Sequence, residues 1–295
     1  MDCMRSVYGD DRYYQKFYDV EYVRGRIDSI FIAELDGEVV GSLALSGCGY
    51  RGEDHKLGTF IVKADMEEHN IGSGLLGYTV DSIRYLPSVK GENVTHHMGS
   101  QILTERNGFV PVGLLFDVFI DNSTLLIIVN NFNVKEVGRI FVPDAIASSV
   151  ELLYRELGVS VEPVTGSGGD VIPSVSDIWY EYDRHFRFAD IYILSYGEDC
   201  MARIGEIESG PGLPGMTANI HIDMRDPNAP AAYEALMGER CVYAGFKPVS
   251  AGHEYIVLHR PGEGPVRYGA MKLTARSREM LTRLGVALSD QVSGR

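Results

Sequence analysis

Residues 58–77 read GTFIVKADMEEHNIGSGLLG, and this stretch decides the fold. Its first six residues are rich in β-branched and aromatic side chains, which predicts a strand at 58–63. Apolar residues recur at helical spacing from Leu75 to Tyr85, which predicts a helix there. A polar turn and the segment His69-Asn70-Ile71-Gly72-Ser73-Gly74, which we call the glycine loop, lie between the two.

The glycine loop has the features of a phosphate-binding site. The start of a helix leaves backbone N–H groups unpaired and carries the positive end of the helix dipole. Glycines let a ligand approach the backbone closely. A tight turn without a ligand is the simpler reading. No Gly-Lys-Ser/Thr is present, which excludes a Walker loop. Residues 72–77 match GxGxxG, but a hairpin precedes them and no repeated βαβ units follow, so a dinucleotide-binding fold is a weaker alternative.

The elements around this stretch predict a mixed α+β domain. Two β-rich runs, 29–35 and 38–45, flank Asp36-Gly37, which is a strong hairpin signal. A short strand is expected at 93–95, a helix at 100–107 that is capped by Gly108, and a strand at 110–117. The order β-β-β-α-β-α-β is typical of an α+β fold.

The second half of the chain contains a weak repeat of the first. Gly108-Phe109-Val110-Pro111-Val112 recurs as Gly245-Phe246-Lys247-Pro248-Val249, which indicates a duplication, although coincidence remains open. Further strands are expected at 125–129, 139–142, 191–195, 201–206, 218–223 and 254–259. Further helices are expected at 148–157, 229–238 and 275–284.

Composition narrows the function classes. The formal net charge of −14, without a long Lys/Arg run, argues against nucleic acid and anionic membranes as partners. No apolar stretch approaches the roughly 20 residues that span a bilayer. The four cysteines form no CxxC, which argues against a zinc site and a disulfide scaffold. We therefore expect a cytoplasmic protein without a metal.

From residue 30 to residue 115 the chain resembles the GNAT family of N-acetyltransferases. Asp36-Gly37-Glu38-Val39-Val40-Gly41 is similar to the family's hairpin, the glycine loop to its cofactor loop, and Gly108-Phe109 to its closing motif. The second half resembles a degenerate copy, as in tandem or pseudo-dimeric members. The resemblance implies an α+β fold with a mostly antiparallel sheet flanked by helices, duplicated in a degenerate second copy. It also implies three parts: a GNAT domain at 1–125, a degenerate GNAT-like domain at 126–262, and a C-terminal helix and tail at 263–295.

The resemblance also implies a function. We expect an N-acyltransferase that moves an acyl group from acetyl-CoA, or another acyl-CoA, to a primary amine of a small molecule. The alternative is a catalytically weak acyl-CoA-binding sensor or interaction module. The second half contains Gly210-Pro211-Gly212-Leu213-Pro214-Gly215, whose prolines lack N–H donors, so we expect one acyl-CoA site per chain. A monomer with two GNAT-like halves and a homodimer both remain possible.

Family positions supply the candidate site residues. Those expected to bind acyl-CoA are Phe60, Ile61, Val62, His69, Asn70, Ile71, Gly72, Ser73, Gly74 and Ser100. His69 stands where the family has Arg or Gln, Thr104 where it has a tyrosine acid, and His97 where it has an asparagine. Candidate acid–base groups are His97, His96 and Thr104, and Tyr8 and Tyr13 are candidates for the acceptor wall. No counterpart of the family's first strand precedes Tyr8, so we expect a replacement for it or a start further upstream.

Overall fold

The computed structural model describes residue 7 and the ranges 20–48, 54–116, 124–166, 169, 171–183, 188–210, 217–250, 252–262 and 271–288. All structural statements concern these residues. Tyr8 and Tyr13, the candidates for the acceptor wall, lie outside them, as do residues 211–216 of the proline-containing loop.

Thirteen strands form within these ranges. They are β1 (Ser29–Leu35), β2 (Glu38–Cys48), β3 (Asp54–Val62), β4 (Ser88–Val94), β5 (Val110–Leu115), β6 (Leu125–Asn131), β7 (Glu136–Val142), β8 (Ser160–Thr165), β9 (Asp177–Asp183), β10 (Phe188–Ser195), β11 (Thr217–Asp223), β12 (Val242–Ser250) and β13 (His253–Arg260).

Seven α-helices accompany the strands. They are α1 (Val20–Arg26), α2 (Ile71–Ser82), α3 (Gly99–Arg106), α4 (Ala147–Glu156), α5 (Cys200–Glu208), α6 (Ala229–Met237) and α7 (Ala275–Arg283). Among these helices, none combines the length and the apolar character needed to cross a bilayer.

One large sheet dominates the molecule. Its eleven strands lie in the order β1-β2-β3-β4-β6-β5-β12-β13-β11-β10-β9, while β7 and β8 form a separate pair. Within this sheet β3–β4 and β10–β11 are the parallel pairs, and the other neighbours are antiparallel. The predicted α+β class, with a mostly antiparallel sheet flanked by helices, is therefore confirmed, and the doubly wound alternative is not observed.

The strand order is the same on both sides of one join. Strands β5 and β12 meet through the pair Gly113 and Gly245. Outward from there, the pair types repeat on both sides: antiparallel, antiparallel, parallel, antiparallel. One side runs β5-β6-β4-β3-β2 and the other β12-β13-β11-β10-β9. A Cβ on Gly245 would lie 2.5 Å from the Val112 oxygen, so the two backbones touch where they cross.

The proposed correspondence of the two Gly-Phe motifs is wrong in register. Gly108 ends the turn after α3 with φ of 83°, whereas Gly245 lies inside β12 and pairs with Gly113. The left-handed residue ahead of β12 is Arg240, with φ of 63°. The repeated element is thus the strand order, and the matching letters occupy different places in it.

A second correction concerns residues 201–206, which were expected to form a strand and lie inside α5. Buried Cys200, Ile204 and Ile207 recur at intervals of four and three residues, which gives a helix one apolar stripe toward the sheet. Strands β8, β9 and β12 were not expected, because charged residues or prolines interrupt their apolar pattern.

Helix α7 ties the end of the chain to the first half. The Thr274 hydroxyl accepts from the Ser277 N–H at 3.0 Å and caps the helix. The Thr274 and Ser277 hydroxyls both donate to the Glu105 carboxylate on α3. Arg283, at the other end of α7, lies 3.6 Å from Glu156 of α4. The segment 271–288 is therefore fixed against helices that flank both halves of the sheet.

Candidate active site

The parallel strands β3 and β4 separate soon after they pair. Their ladder consists of Lys56 opposite Lys90 and Leu57 opposite Gly91. Thr59 then adopts a left-handed conformation with φ of 52°, and the register between β2 and β3 shifts there. A bulge of this kind bends the strand that carries it, and within these two described strands no ladder pair follows it. The result is an opening between the two strands beyond residue 57.

Two backbone N–H groups of β3 point into this opening. The Lys63 N–H donates to the Val40 oxygen of β2 at 2.9 Å. Because donors alternate along an antiparallel strand, the Ile61 N–H also belongs to the β2 ladder, and those of Phe60 and Val62 point the other way. Of the three β3 residues expected to bind acyl-CoA, Phe60 and Val62 therefore direct N–H donors toward β4.

The glycine loop lies at the end of the opening. A 3₁₀ turn, Ala64–His69, leads to Asn70, which is left-handed with φ of 57°, and α2 then begins. The first intrahelical bond is from the Gly74 N–H to the Asn70 oxygen at 3.0 Å. The N–H groups of residues 71–73 precede it and have no partner within the helix. No acidic residue lies in the first turn of α2, so the helix start is electropositive.

The two glycines have different surroundings. A Cβ on Gly72 would lie 3.4 Å from the Phe60 ring and 3.5 Å from Leu103 on α3, so the helix start packs against the wall of the opening. A Cβ on Gly74 would have no atom within 4 Å. His69, Asn70, Ser73 and Gly74 are exposed. The loop therefore presents a clear, solvent-facing surface of backbone donors.

The candidate acid–base residues lie on the β4 side of the opening. His96 and His97 are exposed in the turn between β4 and α3, with their rings edge to face at 4.6 Å. The Ser100 hydroxyl is buried and has no hydrogen-bond partner among the described residues. The Thr104 hydroxyl is buried, accepts from the Asn93 amide at 2.8 Å and donates to the Ser100 oxygen at 3.0 Å. The Thr104 hydroxyl is therefore hydrogen-bonded within the protein, where it links α3 to β4.

Gln101, which the sequence analysis missed, holds the turn that carries these histidines. Its amide nitrogen lies 3.0 Å from the His97 oxygen and 2.8 Å from the Lys272 oxygen, and its side-chain oxygen accepts from the Thr274 N–H at 3.2 Å. Gln101 is fully buried. A glutamine in a short helix carries no sequence signal for this role, because its partners come from the far end of the chain.

Among the described residues of the second half, no comparable opening is found between the parallel strands. Strands β10 and β11 are paired without a break from Phe188 opposite Thr217 to Ile193 opposite Ile222. Residues 173–176 cover the start of α5, where the Glu198 N–H donates to the Pro173 oxygen at 2.9 Å. A Cβ on Gly197 would lie 2.6 Å from the carbonyl carbon of Val175. A continuous ladder and a covered helix start leave no cleft of the kind seen between β3 and β4.

A group of buried and half-buried residues, most of them charged, lies where the two halves face each other. We call it the central polar cluster, and its members are Asp54, Lys56, Lys90, Glu92, Asp190, Tyr192, His221 and Lys247. The first four belong to β3 and β4, and the others to β10, β11 and β12. Charged residues within apolar strands are unusual, and this was the available sequence signal, but only the fold shows that they meet.

Lys247 connects the two halves within the cluster. Its ammonium lies 2.9 Å from Asp54 Oδ2 and donates to the Tyr192 hydroxyl at 3.0 Å. Lys90 lies 3.9 Å from the same Asp54 oxygen, and Lys56 pairs with Glu92. These contacts bring β12 and β10 of the second half against the strands that form the opening.

The charges of the cluster set the protonation of its members. Burial raises the pKa of Asp54, but the ammonium groups of Lys247 and Lys90 outweigh it and leave the pKa lowered. Burial likewise opposes ionisation of Asp190, and its hydrogen bond to His221 together with the lysines lowers its pKa. Burial lowers the pKa of His221 more than Asp190 raises it, so the imidazole is neutral near pH 7. Three carboxylates and three ammonium groups therefore balance.

Comparisons with known proteins give structural likenesses only. No protein-family model and no curated protein matches the sequence. A probable acetyltransferase of Staphylococcus epidermidis is 18% identical with a TM-score of 0.37, over 44% of this chain and 89% of its own. A putative GNAT-family acetyltransferase of Desulfovibrio desulfuricans is 14% identical with a TM-score of 0.37, over 44% and 90%. A spermidine N-acetyltransferase chimera from Vibrio cholerae is 17% identical with a TM-score of 0.35, over 43% and 89%.

Proposed function

We propose that this chain is an acyl-CoA-dependent N-acyltransferase that transfers an acyl group, in the first instance acetyl, to a primary amine of a small molecule. The observation that supports it is the opening between β3 and β4, which leads from the bulge at Thr59 to the exposed start of α2. In this proposal the GNAT domain expected at 1–125 also includes β6, Leu125–Asn131, because that strand lies between β4 and β5. The remainder of 126–262 forms a degenerate copy of it, and residues 263–295 a C-terminal helix and tail.

The residues of the opening fit a CoA thioester. The N–H groups of residues 71–73 and the helix dipole suit the pyrophosphate, and Gly74 leaves room for it. The N–H groups of Phe60 and Val62 suit the amide oxygens of the pantetheine arm and the thioester oxygen. His69 and Asn70 line the entrance, and Ser100 lies under the arm. No described group of three or more His, Cys, Asp or Glu is placed to hold a metal, and the proposal uses none.

The proposed reaction is direct attack of the amine on the thioester. The amine nitrogen bonds to the carbonyl carbon, the C–S bond breaks, and CoA leaves as a thiolate that takes up a proton. An N–H group of β3 stabilises the oxygen on which negative charge develops. His97, with His96 as the second candidate, exchanges protons at the leaving sulfur, since an imidazole nitrogen can donate or accept a proton. Thr104 positions α3 through its bonds to Asn93 and Ser100.

The continuous ladder of β10 and β11 supports one acyl-CoA site per chain. The second half then acts as a partner domain within the same chain, so a monomer suffices, while a homodimer is the other assembly under test. A catalytically weak acyl-CoA sensor uses the same opening without turnover. The commitment of the Thr104 hydroxyl within the protein favours this alternative.

Calorimetric titration with acetyl-CoA tests binding, and release of free CoA thiol in the presence of primary amines tests turnover. We expect one acetyl-CoA per chain and amine-dependent release of thiol. A stoichiometry near two would show that the second half binds acyl-CoA. Binding of acetyl-CoA without turnover over a broad set of amines would favour the alternative of an acyl-CoA sensor. The absence of binding would contradict the proposal.

A further inference from the structure

We propose that His221, supplied by the second half, is the base that removes the proton from the attacking amine, and that a small primary amine binds in the central polar cluster. This inference rests on the proposed function, because it places the acceptor opposite the opening assigned to acyl-CoA. It also gives the second half a chemical part in the reaction.

The protonation of the His221 ring follows from its contacts. Nε2 lies 3.0 Å from Asp190 Oδ1, and because the carboxylate accepts, Nε2 carries the proton. The neutral ring then has a lone pair on Nδ1. Nδ1 is buried and has no hydrogen-bond partner among the described residues. The ring is stacked on Tyr192 with centroids 4.3 Å apart, which fixes the direction of that lone pair.

A buried hydrogen-bond acceptor without a donor costs free energy, so a ligand that donates an N–H or O–H group to Nδ1 is favoured. The side chain of His221 is 4% exposed, whereas those of Asp190, Glu92 and Lys56 are 19%, 17% and 30% exposed. Solvent therefore reaches the cluster from the side of Asp190 and Lys56, and His221 lies at its inner end. In this proposal a small amine enters from this side and reaches Nδ1.

The cluster also connects His221 to the opening. Tyr192, which stacks on His221, is bonded to Lys247, and Lys247 is paired with Asp54 on β3. Lys90, which lies 3.9 Å from Asp54, is the residue of β4 opposite Lys56, where the ladder is about to end. These contacts therefore link the base, in the second half, to β3 and β4, the strands that carry the proposed thioester site.

The proposed step balances as follows. The ammonium group of the amine first releases one proton to solvent; the neutral nitrogen then attacks the thioester carbon, and a second proton passes from it to Nδ1 of His221. The imidazolium that forms keeps its Nε2–H bond to Asp190, whose negative charge stabilises it. The C–S bond breaks, the thiolate takes a proton from His97 or water, and His221 returns its proton to solvent. The products are an amide and free CoA, with no oxidant or reductant.

The test compares two amines with the full-length protein and acetyl-CoA. Once bonded to the thioester carbon, the nitrogen of propylamine holds its proton tightly and needs a base, whereas the nitrogen of hydroxylamine is much more acidic and needs one less. We expect His221→Gln to lower kcat with propylamine by about 10²-fold or more, the usual scale of general-base catalysis, and to affect hydroxylamine much less. The dissociation constant of acetyl-CoA should not change. His259→Gln, which removes another buried neutral imidazole, on β13, is the matched control and should leave both rates unchanged.

The outcomes separate this inference from the proposed function. Equal loss of kcat with both amines would indicate a structural role for His221 and overturn the inference. Full activity of His221→Gln would also overturn it. So would a wild-type protein that binds acetyl-CoA but transfers its acetyl group to neither amine. Failure of the wild-type protein to bind acetyl-CoA would instead contradict the proposed function. If His221→Gln does not fold, Asp190→Asn keeps the ring and removes its charged partner, and the same dependence on the amine is expected.

Discussion

The glycine loop offers a substitution that separates ligand binding from folding. Gly74 lies in the first turn of α2, and a Cβ there meets no atom within 4 Å. Gly74→Ala should therefore stabilise the helix by about 0.5–1 kcal/mol through its lower backbone entropy. Gly74→Asp should fold equally well, since a carboxylate near a helix start adds about 0.3–1 kcal/mol.

The same carboxylate should impair binding of a pyrophosphate at this helix start. Two like charges about 4 Å apart repel by about 1 kcal/mol in bulk water and about 4 kcal/mol at an effective dielectric constant near 20. Because the loop is exposed on one side, the penalty falls between these limits. This corresponds to a dissociation constant for acetyl-CoA that is about 5-fold to about 10³-fold higher.

Calorimetric titration of wild type, Gly74→Ala and Gly74→Asp with acetyl-CoA measures this effect, and thermal unfolding without ligand checks the fold. We expect Gly74→Ala to bind like wild type, because a methyl group leaves the N–H groups accessible. Equal affinity of Gly74→Asp and Gly74→Ala for acetyl-CoA would refute the assignment of the pyrophosphate to this loop.

Three further substitutions test other parts of the structure. His97→Gln should lower turnover by about 10²-fold with unchanged acetyl-CoA affinity, and full activity would contradict the role proposed for His97. Lys247→Met leaves Asp54 buried beside one remaining lysine, so it should lower the free energy of unfolding, measured by urea titration, by about 3 kcal/mol. A loss below about 1 kcal/mol, typical of exposed pairs, would show that the cluster is solvated. Gly245→Ala, at a φ of 110° and in contact with another backbone, should cost about 3 kcal/mol or more, whereas Gly205→Ala in open space should be neutral or stabilising by the same assay.

The first half was predictable because its signals are local. The hairpin around Asp36-Gly37, the glycine loop and the helix before Gly108 each depend on residues that are close in sequence, and each is found as expected within a few residues. The opening itself depends on a bulge at Thr59, which is not a glycine and gives no signal for a left-handed conformation.

The central polar cluster was beyond sequence reasoning for a different reason. Asp54 and Lys247 are in contact although they lie in different halves of the chain, and nothing in either local stretch identifies the other. Residues 201–206 were misassigned because a short apolar run fits a strand and a buried helix equally well. The Gly-Phe correspondence was misplaced for a similar reason. Two matching sequence motifs do not fix the register of their strands, whereas the backbone crossing at Gly113 does.

The crossing of Gly113 and Gly245 has a thermodynamic consequence. Two domains on separate polypeptides lose translational and rotational freedom when they associate, and their union weakens as they are diluted. Here one polypeptide carries both sides of the crossing, so their union is unimolecular and its strength does not depend on protein concentration. The crossing also pairs the edge strands β5 and β12 with each other, which leaves β1 and β9 as the outer edges of the large sheet. The edges at which β5 and β12 meet are therefore not available for strand pairing with a second molecule.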